Sequence, residues 1–154
     1  MPSSDKPVLY FAAGTRSTRP CWLLEECGAG YTLEAVELFK GEHKQPAYLS
    51  INPMGKIPAF REGDRVVVET LGICLHIADK YGLGKVAPDY TDEKRAAYYQ
   101  WMAYSVGSLE AALLEEVRRG IAEKAGDSFK PLRLQLPSFE SVAQLIEAEL
   151  SKND

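Results

Sequence analysis

Residues 50–70 read SINPMGKIPAFREGDRVVVET. Pro53, Gly55 and Pro58 forbid a long helix over the first half of this stretch. Ile57 to Arg61 suit a strand that Pro58 enters at an edge, since proline cannot donate to a ladder. Glu62-Gly63-Asp64 is a turn and Val66 to Glu69 a second strand, so residues 57–69 read as a hairpin. Thr70 then caps a helix whose apolar positions are Leu71, Cys74, Leu75 and Ile77, running to about Tyr81.

Working outward toward the N-terminus, Val8 to Phe11 is an apolar run suited to a buried strand. Ala12 to Arg16 is a small-residue loop. A helix starts near Ser17 or Thr18, either of which can cap it, with Pro20 in the first turn and Gly28 as its stop. Leu33 to Leu38 alternates apolar and acidic residues, which predicts a second strand parallel to the first. Gly41 to Ser50 is polar, with a short helix around Pro46 to Leu49. The order β-α-β, short helix, β-β-α is the thioredoxin-like arrangement. The expected fold is therefore an α/β thioredoxin-like N-terminal domain followed by a short all-α C-terminal region.

Beyond the hairpin and its helix, Gly82 to Tyr90 reads as a linker with two glycines and Pro88. Asp92 to about Glu123 is one long helical pattern, with Tyr98, Met102, Leu109, Leu113 and Val117 near one face. Gly126 to Pro137 is an expected loop. Ser138 to about Ser151 is a last amphipathic helix with Ser138 as N-cap. The expected domains are residues 1–82 and 91–154.

Composition narrows the function. The 154 residues are 45% hydrophobic and 26% charged, with both signs mixed, which fits a folded core rather than disorder. The net charge of −4 argues against a nucleic-acid surface. Cys21, Cys27 and Cys74 are odd in number and form no CxxC. A disulfide framework, a structural metal site and a dithiol redox motif are all disfavoured, and a reducing cytoplasmic setting is expected. The N-terminal segment has no secretory pattern, and no apolar run approaches the ~18 residues that a membrane span needs.

Three features carry chemistry. The first is Lys56-Ile57-Pro58. A cis Ile57-Pro58 bond would turn the Ile57 N–H and C=O toward a ligand, where an extended peptide can pair with them, while Lys56 can meet a carboxylate. The alternative is a plain turn with a solvated lysine. The second is Glu69-Thr70. The Thr70 hydroxyl and the free N–H groups of its helix make an anion site, and Glu69 can hold an ammonium group. Together they would grip an α-amino acid head. The third is His43-Lys44, which can contact a second carboxylate or form a solvated polar loop.

Over nearly its whole length the chain resembles the glutathione transferases. The strings GEHKQPAYLSINPMGKIPAF and GDRVVVET are most similar to the phi class of plants and related bacterial members. The resemblance implies a glutathione transferase that joins reduced glutathione, as co-substrate, to a small electrophile, in detoxification. It implies a cytoplasmic homodimer with no metal, no nucleic acid and no membrane partner. Lys56, Ile57, Pro58, Glu69 and Thr70 would bind glutathione, with His43 and Lys44 on its glycine carboxylate. The thiol must become a thiolate to attack. Three hydroxyls compete to stabilise it: Thr15 after the first strand, Ser17 two residues on, and Tyr10 at the strand end. Ser17 is alternatively a simple N-cap, and Tyr10 a core aromatic. Cys21, one turn into the first helix, is either a structural thiol or the centre of a glutathione-dependent thiol oxidoreductase. The resemblance also implies further C-terminal helices and a Phe-Ser/Thr-x-Ala-Asp capping motif, which does not occur here. A non-catalytic glutathione-binding or assembly module of the same fold is therefore a rival expectation.

Overall fold

The computed structural model describes residues 6–125 and 138–152. They fall into two compact units, Met1–Arg95 and Ala96–Asp154. The loop expected over Gly126 to Pro137 lies outside the described residues.

The first unit carries a mixed four-stranded sheet in the order β2-β1-β3-β4. Its strands are β1 (Val8–Phe11), β2 (Thr32–Ala35), β3 (Ala59–Glu62) and β4 (Arg65–Val68). β1 and β2 are parallel and joined by α1 (Thr18–Cys27), as a βαβ unit requires. β3 is antiparallel to both β1 and β4. Side chains alternate between the two faces. On one face Leu9 and Phe60, which are register partners, pack with Leu24 of α1 and with Ile73 and Ile77 of α3 (Thr70–Tyr81). On the other face Tyr10 and Ala59, also partners, pack with Val36 and with Tyr48 of α2 (Pro46–Leu49). Leu9, Leu24, Phe60, Ile73 and Ile77 are fully buried, each contributing about 1.5–3 kcal/mol of transfer free energy. The fold is thioredoxin-like, as expected.

Several boundaries differ from the sequence reading. β3 starts at Ala59 and lies inside the sheet, so Pro58 stands just outside the ladder rather than on an edge strand. β2 ends at Ala35, and Leu38 belongs to a 3₁₀ turn closed by Gly41 at φ 71°. The Glu42 carboxylate, accepting from the Glu37 N–H at 2.8 Å, holds that turn. The hairpin closes on two residues, with Gly63 at φ 56° in the first position, where glycine is favoured.

The first unit runs past the expected linker. Arg95 is buried, pairs with Asp79, donates to the Pro88 carbonyl at 2.6 Å and lies 4.7 Å from the Tyr90 ring centroid. One side chain thereby binds the 88–95 segment to α3. The long helix starts at Arg95, not Asp92, because the Asp92 carboxylate accepts from the Lys94 N–H at 2.8 Å and makes a local turn. α4 (Arg95–Tyr104) passes through a π-helical turn over Ser105–Leu109 into α5 (Glu110–Ala125). α6 (Phe139–Leu150) follows, and the Ser138 hydroxyl caps it at the Ser141 N–H, 3.2 Å away. Ala112 and Val142 are buried in this second unit, whereas Leu113 and Val117 of the expected apolar face stay exposed.

Candidate functional site

Strand register brings the candidate residues to one end of the sheet. Tyr10 pairs with Ala59, and Ala59 with Val68. The loop after β1, the Ile57-Pro58 step before β3 and the Glu69-Thr70 step after β4 therefore leave the sheet at the same end. The parallel partner β2 ends there too, Ala35 being opposite Phe11, and leads into the His43-Lys44 segment.

The loop before β3 is tied down from within. The Asn52 side chain is buried, donates to the Lys56 carbonyl at 2.7 Å and accepts from the Met54 N–H at 3.1 Å. The Tyr48 hydroxyl donates to the same Lys56 carbonyl at 2.7 Å, and burial pushes its pKa up to about 12. The Lys44 ammonium crosses this loop and donates to the carbonyls of Met54 (3.3 Å) and Gly55 (3.1 Å). Gly55 permits the crossing. Its φ is 57°, and a Cβ there would lie 2.7 Å from the His43 carbonyl and 2.8 Å from Lys44 Nζ. Lys44 thus braces the loop with two of its three protons, a use that the sequence reading did not anticipate. Lys56 keeps its side chain exposed. His43 Nδ1 is buried with no hydrogen-bond partner among the described residues. Asn52 and Tyr48 were given no role from sequence, and Gly55 was read only as a helix breaker. For Asn52 and Gly55 the turn-forming Asn-Pro-x-Gly run was the one available signal.

The Ile57-Pro58 peptide bond is cis. Ile57 lies outside the strand register, so its backbone groups are not held in the ladder. Glu69 has φ 66° and ψ 124°, the one described non-glycine residue with positive φ. Such a conformation costs on the order of 1–3 kcal/mol and concentrates at functional sites. Glu69, not Thr70, occupies the N-cap position of α3, and its side chain makes no capping bond. Thr70 is the first helical residue. The neighbouring N–H groups at this helix start lack intrahelical partners, and the helix dipole is positive there.

The loop after β1 holds two of the three candidate hydroxyls. Thr15 Oγ1 lies 2.7 Å from the Ala12 carbonyl and 2.8 Å from Ser17 Oγ, and accepts from the Ser17 N–H at 3.2 Å. Thr15 is partly exposed. Ser17 is fully buried, and its hydroxyl bridges back to Ala12, accepting from its N–H (3.1 Å) and donating to its C=O (3.0 Å). Ser17 precedes α1 but makes no side-chain cap; Thr18 instead donates its hydroxyl to the Thr15 carbonyl at 3.0 Å. Tyr10 is placed elsewhere. It is 3% exposed, packed edge-to-face on Tyr48 at 5.8 Å, and burial raises its pKa.

All three cysteines are free. Cys21 is partly exposed, with Sγ 3.3 Å from the Tyr31 hydroxyl, which donates to Glu25 at 2.7 Å. Cys74 is buried, which pushes its thiol up to about 11. The described residues contain no group of side chains able to hold a metal ion, and no helix among them is long and apolar enough to cross a membrane.

Comparison with known proteins gives one consistent result. The family model "Glutathione S-transferase, N-terminal domain" matches residues 6–79. Glutathione S-transferase F10 of Arabidopsis thaliana is 33% identical over 160 residues, spanning 96% of this chain and 70% of that protein. Glutathione S-transferase 1 of Dianthus caryophyllus is 32% identical over 128 residues, which span 82% of this chain but only 58% of the relative. Among solved structures, glutathione transferase F7 of Populus trichocarpa matches with a TM-score of 0.75 and 28% identity over 95% of this chain and 71% of its own. A glutathione transferase homolog from Sulfitobacter, crystallised with bound glutathione, matches with a TM-score of 0.64 and 27% identity over 97% of this chain and 67% of its own. With a relative more than 30% identical matched over more than two thirds of its length, and with the fold and register described above, this chain belongs to the glutathione S-transferase family.

Proposed function

We propose that the chain binds reduced glutathione at the open end of the sheet and joins it to a small electrophile. The convergence of Thr15, Ile57-Pro58 and Glu69-Thr70 at that end carries the reading. The γ-glutamyl carboxylate meets the Thr70 hydroxyl and the first N–H groups of α3, and its ammonium meets Glu69. The cysteinyl backbone pairs with the N–H and C=O of Ile57. The glycine carboxylate meets His43 and Lys56, and Lys44 joins them with its third proton. The Thr15 hydroxyl donates to the sulfur and favours its anionic form, with help from the positive end of α1. The thiolate then attacks the electrophilic carbon. A carbon–sulfur bond forms, the displaced group leaves with the bonding pair, and the thiol proton has already gone to solvent. No metal takes part. The working form is a cytoplasmic homodimer, in which exposed Phe39 and Met54 are available for contact. Residues 1–82 carry the glutathione site, and the helices of residues 91–154 form the second domain.

The test is turnover of a chloronitrobenzene with glutathione. Thr15→Ala is expected to lower the rate ~10²-fold or more. An unchanged rate would move the role to another hydroxyl. One observation favours a second reading, a binding module without turnover: the Thr15 hydroxyl donates to the Ala12 carbonyl at 2.7 Å within its own loop. Retention on glutathione resin with no thioether formed would support that reading. A thiol oxidoreductase centred on Cys21 would instead lose disulfide reduction in Cys21→Ala.

A further inference from the structure

We propose that Ser17 is a positioning residue that releases the Thr15 proton toward the glutathione sulfur; this rests on the assignment of Thr15 above. Thr15 and Ser17 carry one hydroxyl proton each, but three contacts compete for them. These are Thr15 Oγ1 to the Ala12 carbonyl (2.7 Å), Ser17 Oγ to the same carbonyl (3.0 Å), and the Thr15–Ser17 hydroxyl pair (2.8 Å). Two protons cannot fill all three at once.

Two arrangements decide where the Thr15 proton points, and a further one, with Thr15 donating to Ser17, also keeps it inward. In one, Thr15 donates to the Ala12 carbonyl and Ser17 donates to Thr15. The Thr15 proton is then turned inward. In the other, Ser17 donates to the Ala12 carbonyl, which leaves that buried acceptor satisfied while the Thr15 proton turns outward. Backbone N–H groups hold both oxygens in place throughout. Ala12 N–H donates to Ser17 Oγ at 3.1 Å, and Ser17 N–H donates to Thr15 Oγ1 at 3.2 Å. Rotation of both hydroxyls thus switches Thr15 between a resting and a donating state. Ser17 is fully buried, out of reach of a ligand at the surface. Without it, turning the Thr15 proton outward leaves the Ala12 carbonyl without this donor, an unfavourable exchange.

The test is the ionisation of bound glutathione, followed by the ultraviolet band of its thiolate across pH, in the full-length chain. Ser17→Ala is expected to raise the thiol pKa by about one unit, which is about tenfold less thiolate at a given pH, or about 1.4 kcal/mol. The acid limb of kcat/KM should move with it, while glutathione binding changes little. In a Thr15→Ala background the added Ser17→Ala change should have no effect, because its route runs through Thr15. Ser17→Cys keeps a weak donor of similar shape and should raise the pKa less than Ser17→Ala; it carries the test if the alanine variant does not fold, an unshifted pKa then counting against the proposal. An unchanged pKa in Ser17→Ala, or an equal rise in the Thr15→Ala background, overturns the proposal while leaving the functional reading intact. Absence of any thiolate band in the unaltered protein overturns both.

Discussion

Glu69 and Gly55 both hold positive φ, but only one of them is glycine. At Gly55 the reason is steric, because a Cβ would strike the His43 carbonyl and the Lys44 side chain. Gly55→Ala is expected to displace Lys44 from the loop and lower stability by about 1–3 kcal/mol, with weaker glutathione binding. Denaturant unfolding and calorimetric titration read the two effects. At Glu69 no packing demands a side chain, and its carboxylate makes no hydrogen bond or ion pair with the described residues. The strain is then kept for what the side chain does. Glu69→Gly should be more stable than Glu69→Ala by about 1 kcal/mol, since glycine relieves the positive φ. Both variants should bind glutathione at least tenfold more weakly, because both lose the ammonium partner. Equal affinity to the unaltered chain would remove Glu69 from the site. The boundaries that carry the candidate site were legible in the sequence, because Pro58, Glu69 and Thr70 sit at turn and helix ends that local rules predict. The loop braces were not. The use of Lys44 on two carbonyls and of Ser17 on Ala12 depends on how the chain folds back, and spacing alone does not carry that.

At the scale of elements, β3 is joined to α3 by a cluster that sequence reading missed. Glu62 lies 2.6 Å from His76 Nε2 and 2.8 Å from Lys80 Nζ, and accepts from the Tyr81 hydroxyl. Its partners lie 14 to 19 positions away, too far for helical or hairpin spacing to point to them. Burial alone would raise the Glu62 carboxyl. The hydrogen bonds from Lys80, Tyr81 and His76 outweigh it and hold the pKa at about 2, against an ordinary value of 4.5. A depressed folded pKa gives stability that is complete above pH ~4.5 and is lost as pH falls toward 2. Glu62→Gln should flatten this acid limb by about 2 kcal/mol, measured by unfolding at a series of pH values. An unaltered limb would mean that the cluster is not coupled to folding. The same, C-terminal end of α3 also depends on Gly82. A Cβ there would lie 2.2 Å from Val86 Cγ2 and 2.8 Å from Cys27 Sγ. Gly82→Ala should cost about 1–3 kcal/mol through overpacking between the ends of α1 and α3, seen as a lower melting midpoint. The secondary elements themselves were largely legible, because β1, α1, α2 and α3 each carry a clear period or terminal signal. The start of the long helix and its π-helical turn were not, because Asp92 draws its turn from its own side chain and the turn at 105–109 leaves the apolar spacing almost intact.

For the whole molecule, the first unit holds the site and the larger core, and the second is helical with several large apolar residues still exposed. Glutathione should therefore stabilise chiefly the first unit. A ligand at ~100 times its dissociation constant adds about 2.7 kcal/mol to the state that binds it. Hydrogen exchange with and without glutathione is expected to slow in β1, β3 and the start of α3 and to change little over α5 and α6. Uniform slowing across both units would argue for a single cooperative body. The family was legible as a resemblance from residues 41–60 and 63–70, whose strings are similar to the phi class. The second unit carries no such segment. A crystal structure of the chain soaked with reduced glutathione tests the glutathione site directly. The γ-glutamyl head is expected on Glu69 and Thr70, the cysteinyl backbone paired with Ile57, and the sulfur within hydrogen-bond reach of Thr15 Oγ1. A tripeptide bound elsewhere, or a sulfur directed to Cys21 or Tyr10 instead of Thr15, would contradict it.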